Sequence, residues 1–381
     1  MQIEVVDVGD GACSIISCPD HGDSQSITLI DCGVRRGSAL AAAQTASDQL
    51  GRRLADVSTV IISHFDADHW RGLLHLADAY GSTHVYPAGH AIQFLYPALP
   101  PRAQRLPVGV FALISLRDNE PVSVVELVNR WNVASGGRVR PRALHSGSRF
   151  VANDHEWVVR WPPRNLGGDL ATRIQVWLAD LDEIAHEMAQ DGDPRLQDNL
   201  SQGYAAWVEL VAGGESDRAA DRDDPVQDPF DVIEMPPEEE FGDDQSGSGD
   251  QYRGVKPELK RKLRRLAARM SLLDNLLSLV VEEVHGEFIG FGDIEGSALK
   301  ALLAEGTLRR SYRVMLAPHH GTHETPAGFP AAALCISQNG YTHQGNFWKH
   351  RDTHTGSIWG CESTSARGTI TCSTTESFWP F

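Results

Sequence analysis

The chain has 381 residues, of which 41% are hydrophobic, so it is long and apolar enough for one large globular domain or two ordinary ones. Its formal net charge is −17, but residues 215–250 alone hold 14 of the 51 acidic residues and only two arginines. The rest of the chain carries about −5, and so mild a charge excludes no class of partner.

Several absences narrow the class of protein further. No run of eighteen apolar residues occurs, and the amino terminus lacks a cationic stretch followed by an apolar core. The six cysteines include no Cys-x-x-Cys pair. We therefore expect a reduced cytoplasmic protein that does not bind a membrane.

The amino-terminal part is predicted to form short strands around one helix. Alternation over the first residues stops at the turn signal Gly9-Asp10-Gly11. An Ala-rich stretch then predicts a helix, and an apolar run predicts a buried strand. The predicted strands are residues 1–8, 13–17, 26–31 and 57–62, and the predicted helix is residues 38–50.

Two histidines and two aspartates follow the strand 57–62 within six residues. They are His64, Asp66, Asp68 and His69, in the loop at the carboxyl end of the strand and at the start of a helix predicted to reach about Tyr80. A purely structural role would bury two carboxylates with no cation, at a cost of several kcal/mol unless they are paired. The cluster therefore favours a metal site over a structural role.

The composition changes sharply after residue 214. Residues 215–250 are rich in Asp, Glu, Pro and Gly, which predicts disorder. A basic helix with leucines at 259, 263 and 266 follows, either docked on the body by one face or in contact with nucleic acid or with the acidic tract. The insertion 215–272 would separate residues 1–214 from residues 273–381 and offers room for a regulatory protein partner.

Two later strand ends supply further metal-type ligands. Residues 275–281 and 287–295 are predicted to form two strands of one hairpin, with Asp293 near the end of the second. The strand 312–317 leads into His319 and His320. Two metal ions about 3.5–4 Å apart need a bridging carboxylate, and together they activate a water for hydrolysis. A lone aspartate such as Asp293 suits that bridge, so the sequence predicts a two-metal hydrolase.

The order of these motifs resembles the metallo-β-lactamase fold superfamily. The matching pieces are Leu29-Ile30-Asp31-Cys32-Gly33, the His-x-Asp-x-Asp-His cluster, Gly292-Asp293-Ile294-Glu295 and Pro318-His319-His320-Gly321-Thr322. Most members carry histidine where this chain has Asp66, and the aspartate form is similar to the hydrolase domain of the competence DNA-uptake protein ComEC. The resemblance spans about residues 1–375 and implies an α/β (α+β) fold, an αββα sandwich of two mixed sheets flanked by helices.

The resemblance also implies a role for each residue of the cluster. His64 and Asp66 would hold one divalent ion, Asp68 and His69 the other, and Asp293 would bridge them. His320 would complete the second site, although His319 stays an alternative for that ligand. The implied catalytic residues are Asp68, His319 and His343, of which His319 would face the substrate phosphate or the leaving oxygen and His343 the phosphate.

Two features of the implied metal site stay open. Asp31 would orient the cluster through hydrogen bonds. Many members have a further metal histidine, but the corresponding strand here ends in Trp161, with His145 and His155 nearby. Because carboxylate-rich sites suit manganese as well as zinc, either is a candidate for the two divalent ions.

The leading hypothesis is a metal-dependent phosphodiesterase, specifically a nuclease, with nucleic acid as partner. Only the resemblance to ComEC favours nucleic acid. One alternative is a hydrolase of a small-molecule phosphodiester, a lactone or a thioester. Another is a non-catalytic interaction module that keeps the fold without the chemistry.

Overall fold

The structure is a computed structural model, and its described residues cover most of the chain. They are residues 1–18, 26–35, 38–82, 91–99, 103–119, 122–165, 168–213, 252–351 and 361–374. The acidic tract 215–250, for which the composition predicts disorder, lies outside them.

The described residues form two seven-stranded sheets. In the first sheet the strand order is β14-β1-β2-β3-β4-β5-β6, and in the second it is β13-β12-β11-β10-β9-β8-β7. The strands are β1 (Gln2–Val5), β2 (Cys13–Ser17), β3 (Ile27–Cys32), β4 (Val57–Ile61), β5 (Ile92–Pro97), β6 (Val139–Leu144), β7 (Arg149–Ala152), β8 (His155–Trp161), β9 (Val280–Glu283), β10 (Phe288–Gly290), β11 (Ser311–Leu316), β12 (Ala331–Ser337), β13 (Cys361–Ser363) and β14 (Ile370–Ser373).

Both sheets are mixed, and the parallel part of each matters for the site. Strands β3, β4, β5 and β6 are parallel neighbours in the first sheet. Strands β10, β11, β12 and β13 are parallel neighbours in the second. Because neighbouring parallel strands end at the same edge of their sheet, the residues that follow β3, β4, β10 and β11 can meet.

Helices flank the two sheets. They are α1 (Ala39–Leu50), α2 (Ala67–Gly81), α3 (Leu106–Asp118), α4 (Val124–Ala134), α5 (Gly168–Gln190), α6 (Arg195–Gly213), α7 (Pro257–Leu276), α8 (Gly296–Ala304), α9 (Gln344–His350) and α10 (Thr364–Arg367). A buried apolar cluster including Ile61, Trp157 and Val281 joins strands of both sheets, and a larger cluster joins the sheets to the helices. This is the predicted αββα fold of two mixed sheets flanked by helices.

Helix α7 is docked on the body of the protein by one face, which is the first of the two alternatives predicted for the basic helix. Its leucines at 259, 263 and 266 are buried against α3 and α5, while most of its basic side chains are exposed. The helix ends at Leu276, so the boundary predicted at residue 272 falls inside it. The strand predicted from Asn275 is wrong at its start, because β9 begins only at Val280. At the end of the helix, the Leu276 carbonyl accepts a hydrogen bond from the Trp161 indole.

The helices also bear on membrane association. Among the described residues, no helix combines the length and the apolar character that crossing a membrane requires.

Candidate metal centre

Residues 63–69, which form the loop after β4 and the first residues of α2, supply the first histidines of the site and are called the metal loop here. His64 and His69 are buried, and their ring centroids lie 4.0 Å apart. Asp31, at the end of β3, accepts hydrogen bonds from the Ser63 backbone N–H at 2.7 Å and from His69 Nδ1 at 2.8 Å. Asp31 therefore lies behind His69, where a residue that orients the cluster would have to be.

Asp293, in the turn after β10, lies at the centre of the histidines. Its carboxylate oxygens are 3.3 Å from His69 Nε2, 3.4 Å from His320 Nε2, 3.8 Å from His319 Nε2 and 4.0 Å from His64 Nε2. Four imidazoles, two after β4 and two after β11, thus face one carboxylate, which follows β10. This is the central position that the bridging role predicted for Asp293 requires.

Each of these imidazoles is held through its other ring nitrogen. Ser63 Oγ lies 3.1 Å from His64 Nδ1, and the Gln338 carbonyl accepts a hydrogen bond from His320 Nδ1 at 2.6 Å. Glu295 accepts one from His319 Nδ1 at 2.8 Å. With Nδ1 occupied, Nε2 is the nitrogen that each ring directs at the centre, which is how supporting groups orient metal-binding histidines.

Two sets of ligand atoms lie within 4.8 Å of one another in this centre. One set is His64, His69 and Asp293, and the other is Asp68, His69 and His320. The Asp68 carboxylate is 3.5 Å from His320 Nε2. His64 Nε2 is fully buried and has no hydrogen-bond partner. A buried nitrogen without a partner, aimed at a carboxylate among other imidazoles, fits a divalent cation.

The charges of the site support the same interpretation. Burial, with the help of His69, lowers the pKa of His64 to about 3, so this imidazole is neutral, as a metal ligand must be. Burial opposes a charge on His320 too, but the Asp293 carboxylate raises its pKa to about 10. Without a cation, protons on the histidines balance the carboxylates, and a bound cation would take over that charge.

Not every predicted ligand meets this centre. The Asp66 carboxylate accepts a hydrogen bond from Ser271 of α7 and belongs to neither ligand set among the described residues. Burial, and then Asp68, raise its pKa to about 6. His145 donates to the Ser146 carbonyl, and His155 lies 3.5 Å from Glu283. The metal role of Asp66 therefore stays a prediction, and the structure brings neither of the two substitute histidines to the cluster.

His343 lies on the other side of His320. It immediately precedes α9, and its ring stacks on that of His320 with centroids 6.0 Å apart and planes 10° from parallel. Burial, and then His320, lower its pKa. The predicted substrate contact of His343 is thus placed beside a candidate ligand.

Three acidic or histidine residues of the site were not singled out from the sequence. Asp274, near the end of α7, accepts a hydrogen bond from the Phe65 backbone N–H at 2.7 Å. Glu295 lies between His319 and His323, whose Nε2 is 3.3 Å from its carboxylate. Glu295 closes the Gly-Asp-Ile-Glu motif and could have been found there, whereas nothing near Asp274 in the sequence signals its contact with the metal loop.

Parts of the chain are similar to known proteins. The family model of the Metallo-beta-lactamase superfamily matches residues 7–150. Among solved structures, the metallo-beta-lactamase fold protein YhfI from Bacillus subtilis is 12% identical, with a TM-score of 0.25, over 42% of this chain and 52% of that one. A long form RNase Z from yeast is 15% identical, with a TM-score of 0.24, over 37% of this chain and 18% of that one. The sequence matches no curated protein significantly.

The fold and the site thus define an αββα sandwich of two mixed sheets with a candidate centre for divalent metal. Over residues 7–150, less than half of its length, the chain is similar to the Metallo-beta-lactamase superfamily. The part of this chain that is similar to YhfI spans about half the length of YhfI, and the part similar to the yeast RNase Z spans about a fifth of that protein.

Proposed function

We propose that the protein is a metal-dependent phosphodiesterase that acts on nucleic acid. The metal-dependent part of this proposal rests on one observation. Four imidazole Nε2 atoms converge on Asp293, and one of these nitrogens, that of His64, is buried without a hydrogen-bond partner. Divalent ions in such a centre polarise a phosphoryl oxygen and make water a nucleophile at neutral pH. The choice of nucleic acid rests on the resemblance to ComEC.

The chain's own residues would hold the ions as follows. His64 and Asp293 belong to one ligand set, and Asp68 and His320 belong to the other. Asp31 accepts a hydrogen bond from His69 Nδ1, so only Nε2 of this ring can bind an ion. His69 can therefore serve a single ion. It would hold an ion together with Asp68 and His320, and the central carboxylate of Asp293 would be within reach of both ligand sets.

His319 is suited to donate a proton to the leaving oxygen. Burial works against its charged form, but the Glu295 carboxylate at Nδ1 raises the pKa of the ring. The ring thus holds its proton more firmly than an ordinary histidine does, with Nε2 directed towards the centre at 3.8 Å from Asp293. A general acid needs this combination of a retained proton and an orientation fixed by a second group.

The test compares substrates and two variants of one helix. The protein is purified with its metals quantified and offered bis-p-nitrophenyl phosphate, single-stranded DNA, duplex DNA, RNA and a lactone with Mn²⁺ or Zn²⁺. Asp68→Asn removes a buried candidate ligand at the start of α2, and Asp78→Asn changes an exposed aspartate of the same helix, its side chain 65% exposed. We expect Asp68→Asn to lose at least about 100-fold in turnover and Asp78→Asn to match the wild type.

Two results would contradict parts of the proposal. A wild-type protein with two bound metals that cleaves none of the phosphodiesters would exclude the phosphodiesterase, and cleavage of the lactone alone would favour the other hydrolase class. Full activity in Asp68→Asn would show that the ligand assignment is wrong.

A further inference from the structure

The segment after β12 is pinned to the protein on both sides of one exposed residue. Asn339 is fully buried, and its amide donates to Ser337 Oγ at 2.9 Å. The backbone N–H of Thr342 donates to Asp10 Oδ1 at 3.1 Å. Gly340 lies so close to Asp10 that a Cβ there would overlap the Asp10 backbone. The backbone that carries Tyr341 is therefore anchored before and after it.

Tyr341 nevertheless projects into solvent. Its side chain is 89% exposed, the largest exposure of any large hydrophobic residue described, although it lies only two positions from His343. An aromatic ring on an anchored backbone loses little conformational freedom when a flat ligand stacks on it. Because the backbone is anchored on both sides, the exposure of Tyr341 does not come from a loose loop.

A second exposed aromatic residue lies on the same stretch of chain. Helix α9 packs against the turn that carries His319 and His320, and its Trp348 is 50% exposed. The Arg351 guanidinium lies 5.2 Å from the centroid of the Trp348 ring. Phe347 beside it is buried and fixes the helix to the body. We call Tyr341 and Trp348 together the aromatic platform.

The stretch of chain that carries the platform is itself basic, although the Asp10 carboxylate contacts it at Thr342. Residues 338–351 contain no aspartate or glutamate but hold Lys349 and Arg351, whereas the chain as a whole carries −17. Exposed aromatic rings among basic side chains are what proteins use to bind single-stranded nucleic acid, since bases stack on the rings and the cations attract phosphates. A duplex, with its bases already stacked on one another, gains nothing from such rings.

We infer that the aromatic platform of Tyr341 and Trp348 binds the bases of a single-stranded nucleic acid beside the metal centre. This inference rests on the proposed phosphodiesterase function and narrows its substrate to single strands. His343, between the platform residues in sequence and stacked on His320, connects the platform to the centre.

The test separates binding of a strand from cleavage of a small ester. Metal-loaded wild-type protein, Tyr341→Ala and Trp348→Ala are titrated into a fluorescein-labelled phosphorothioate oligothymidine, which resists cleavage, and its anisotropy is measured. Tyr341→Phe and Trp348→Phe keep an aromatic ring at each position. Tyr204→Ala is the matched control. Tyr204 is 44% exposed, and the Arg105 guanidinium lies 5.7 Å from the centroid of its ring. It belongs to α6, which packs on α3, α4 and α5.

We expect the dissociation constant of the oligonucleotide to rise about tenfold in each alanine variant, as the loss of one stacked base predicts. Both phenylalanine variants and Tyr204→Ala should bind as the wild type does. Hydrolysis of bis-p-nitrophenyl phosphate should be the same in all of them, because none of the substituted residues is a candidate metal ligand.

Other outcomes would overturn the inference without touching the proposed function. Equal binding of the strand by wild type and both alanine variants, with the ester still hydrolysed, would exclude the platform and leave the phosphodiesterase standing. Tighter binding of duplex than of single strand would exclude it as well. If the wild type hydrolyses neither the ester nor DNA nor RNA, the proposed function fails, and the anisotropy still shows whether the platform binds a strand.

Discussion

Asp274 holds the metal loop from the side of α7, so removing its carboxylate should loosen the candidate ligands. Only 1% of its surface is exposed, and its Oδ2 accepts the hydrogen bond of the Phe65 N–H, next to His64. Burial, and then the neighbouring Asp66, raise the pKa of Asp274 well above its usual range. The protein thus keeps an electrostatically unfavourable carboxylate in a place where a neutral acceptor would serve.

The structure gives a different magnitude for each of two substitutions. Asp274→Ala leaves the buried Phe65 N–H without an acceptor, which costs about 1–3 kcal/mol in the free energy of unfolding. Loss of a group that positions metal ligands also weakens metal binding by about 10–100-fold. Asp274→Asn keeps an oxygen acceptor for the Phe65 N–H, so we expect its stability to stay within about 1 kcal/mol of the wild type.

Two measurements on purified protein check these values. Urea unfolding of the metal-free protein gives the free energy, and titration with Mn²⁺ gives the metal affinity. Asp78→Ala is the control, because it removes an exposed aspartate of α2 that does not contact the metal loop. Its metal affinity should equal that of the wild type.

The reasoning fails in two ways that can be told apart. If Asp274→Asn loses metal as severely as Asp274→Ala, the negative charge itself is needed, and Asp274 would act with Asp66 as part of the metal site. If Asp274→Ala binds Mn²⁺ as tightly as the wild type, the hydrogen bond to Phe65 does not position the loop.

Four further predictions follow from the same contacts. Asp293→Asn should weaken Mn²⁺ binding by at least about 100-fold in a metal titration, because four imidazoles face this carboxylate; near-normal affinity would exclude the bridging role. The Mn²⁺ affinity of the wild type should rise about tenfold per pH unit for each proton displaced, because Asp293 raises the pKa of His320 to about 10 and the metal must displace that proton; calorimetric titration at two pH values checks this, and a pH-independent affinity contradicts it. His319→Gln should slow nucleotide esters by about 100-fold or more while sparing esters with a p-nitrophenolate leaving group, which needs no proton; equal losses on both would exclude a general acid. Gly340→Ala should destabilise the protein by about 1–3 kcal/mol in urea, since its Cβ would overlap Asp10; an unchanged unfolding curve would contradict the close approach.

Much of the fold could be predicted because its signals are local. The Ala-rich helix predicted at residues 38–50 is α1 (Ala39–Leu50), and the apolar run predicted as a buried strand at 57–62 contains β4 (Val57–Ile61). The strand predicted from Asn275 was wrong because its apolar residues belong first to the end of α7. Apolar residues alone do not distinguish a buried helix end from a strand, and here a tertiary contact, the Trp161 indole on the Leu276 carbonyl, lies at the boundary.

The same distinction between local signals and tertiary contacts applies to the site. Histidines and aspartates that follow strands could be identified from the sequence, because they are unusual there and parallel strands bring their carboxyl ends to one edge. The contacts of Asp274 and His323 could not, because residues 209 and 28 positions away from their partners in the site carry no local signal. Nor does the sequence show that Asp66 turns towards Ser271 of α7 rather than towards the other ligands.

The sequence by itself determined the kinds of residue and their places at strand ends, and from these the sandwich fold and a candidate metal site followed. Only the tertiary structure decided which nitrogen of each imidazole is free, that Asp293 lies among four of them, and that α7 holds the metal loop. The physical reason is that ligand geometry depends on hydrogen bonds to the far side of each ring, and those partners, Ser63, Gln338 and Glu295, come from different strand ends.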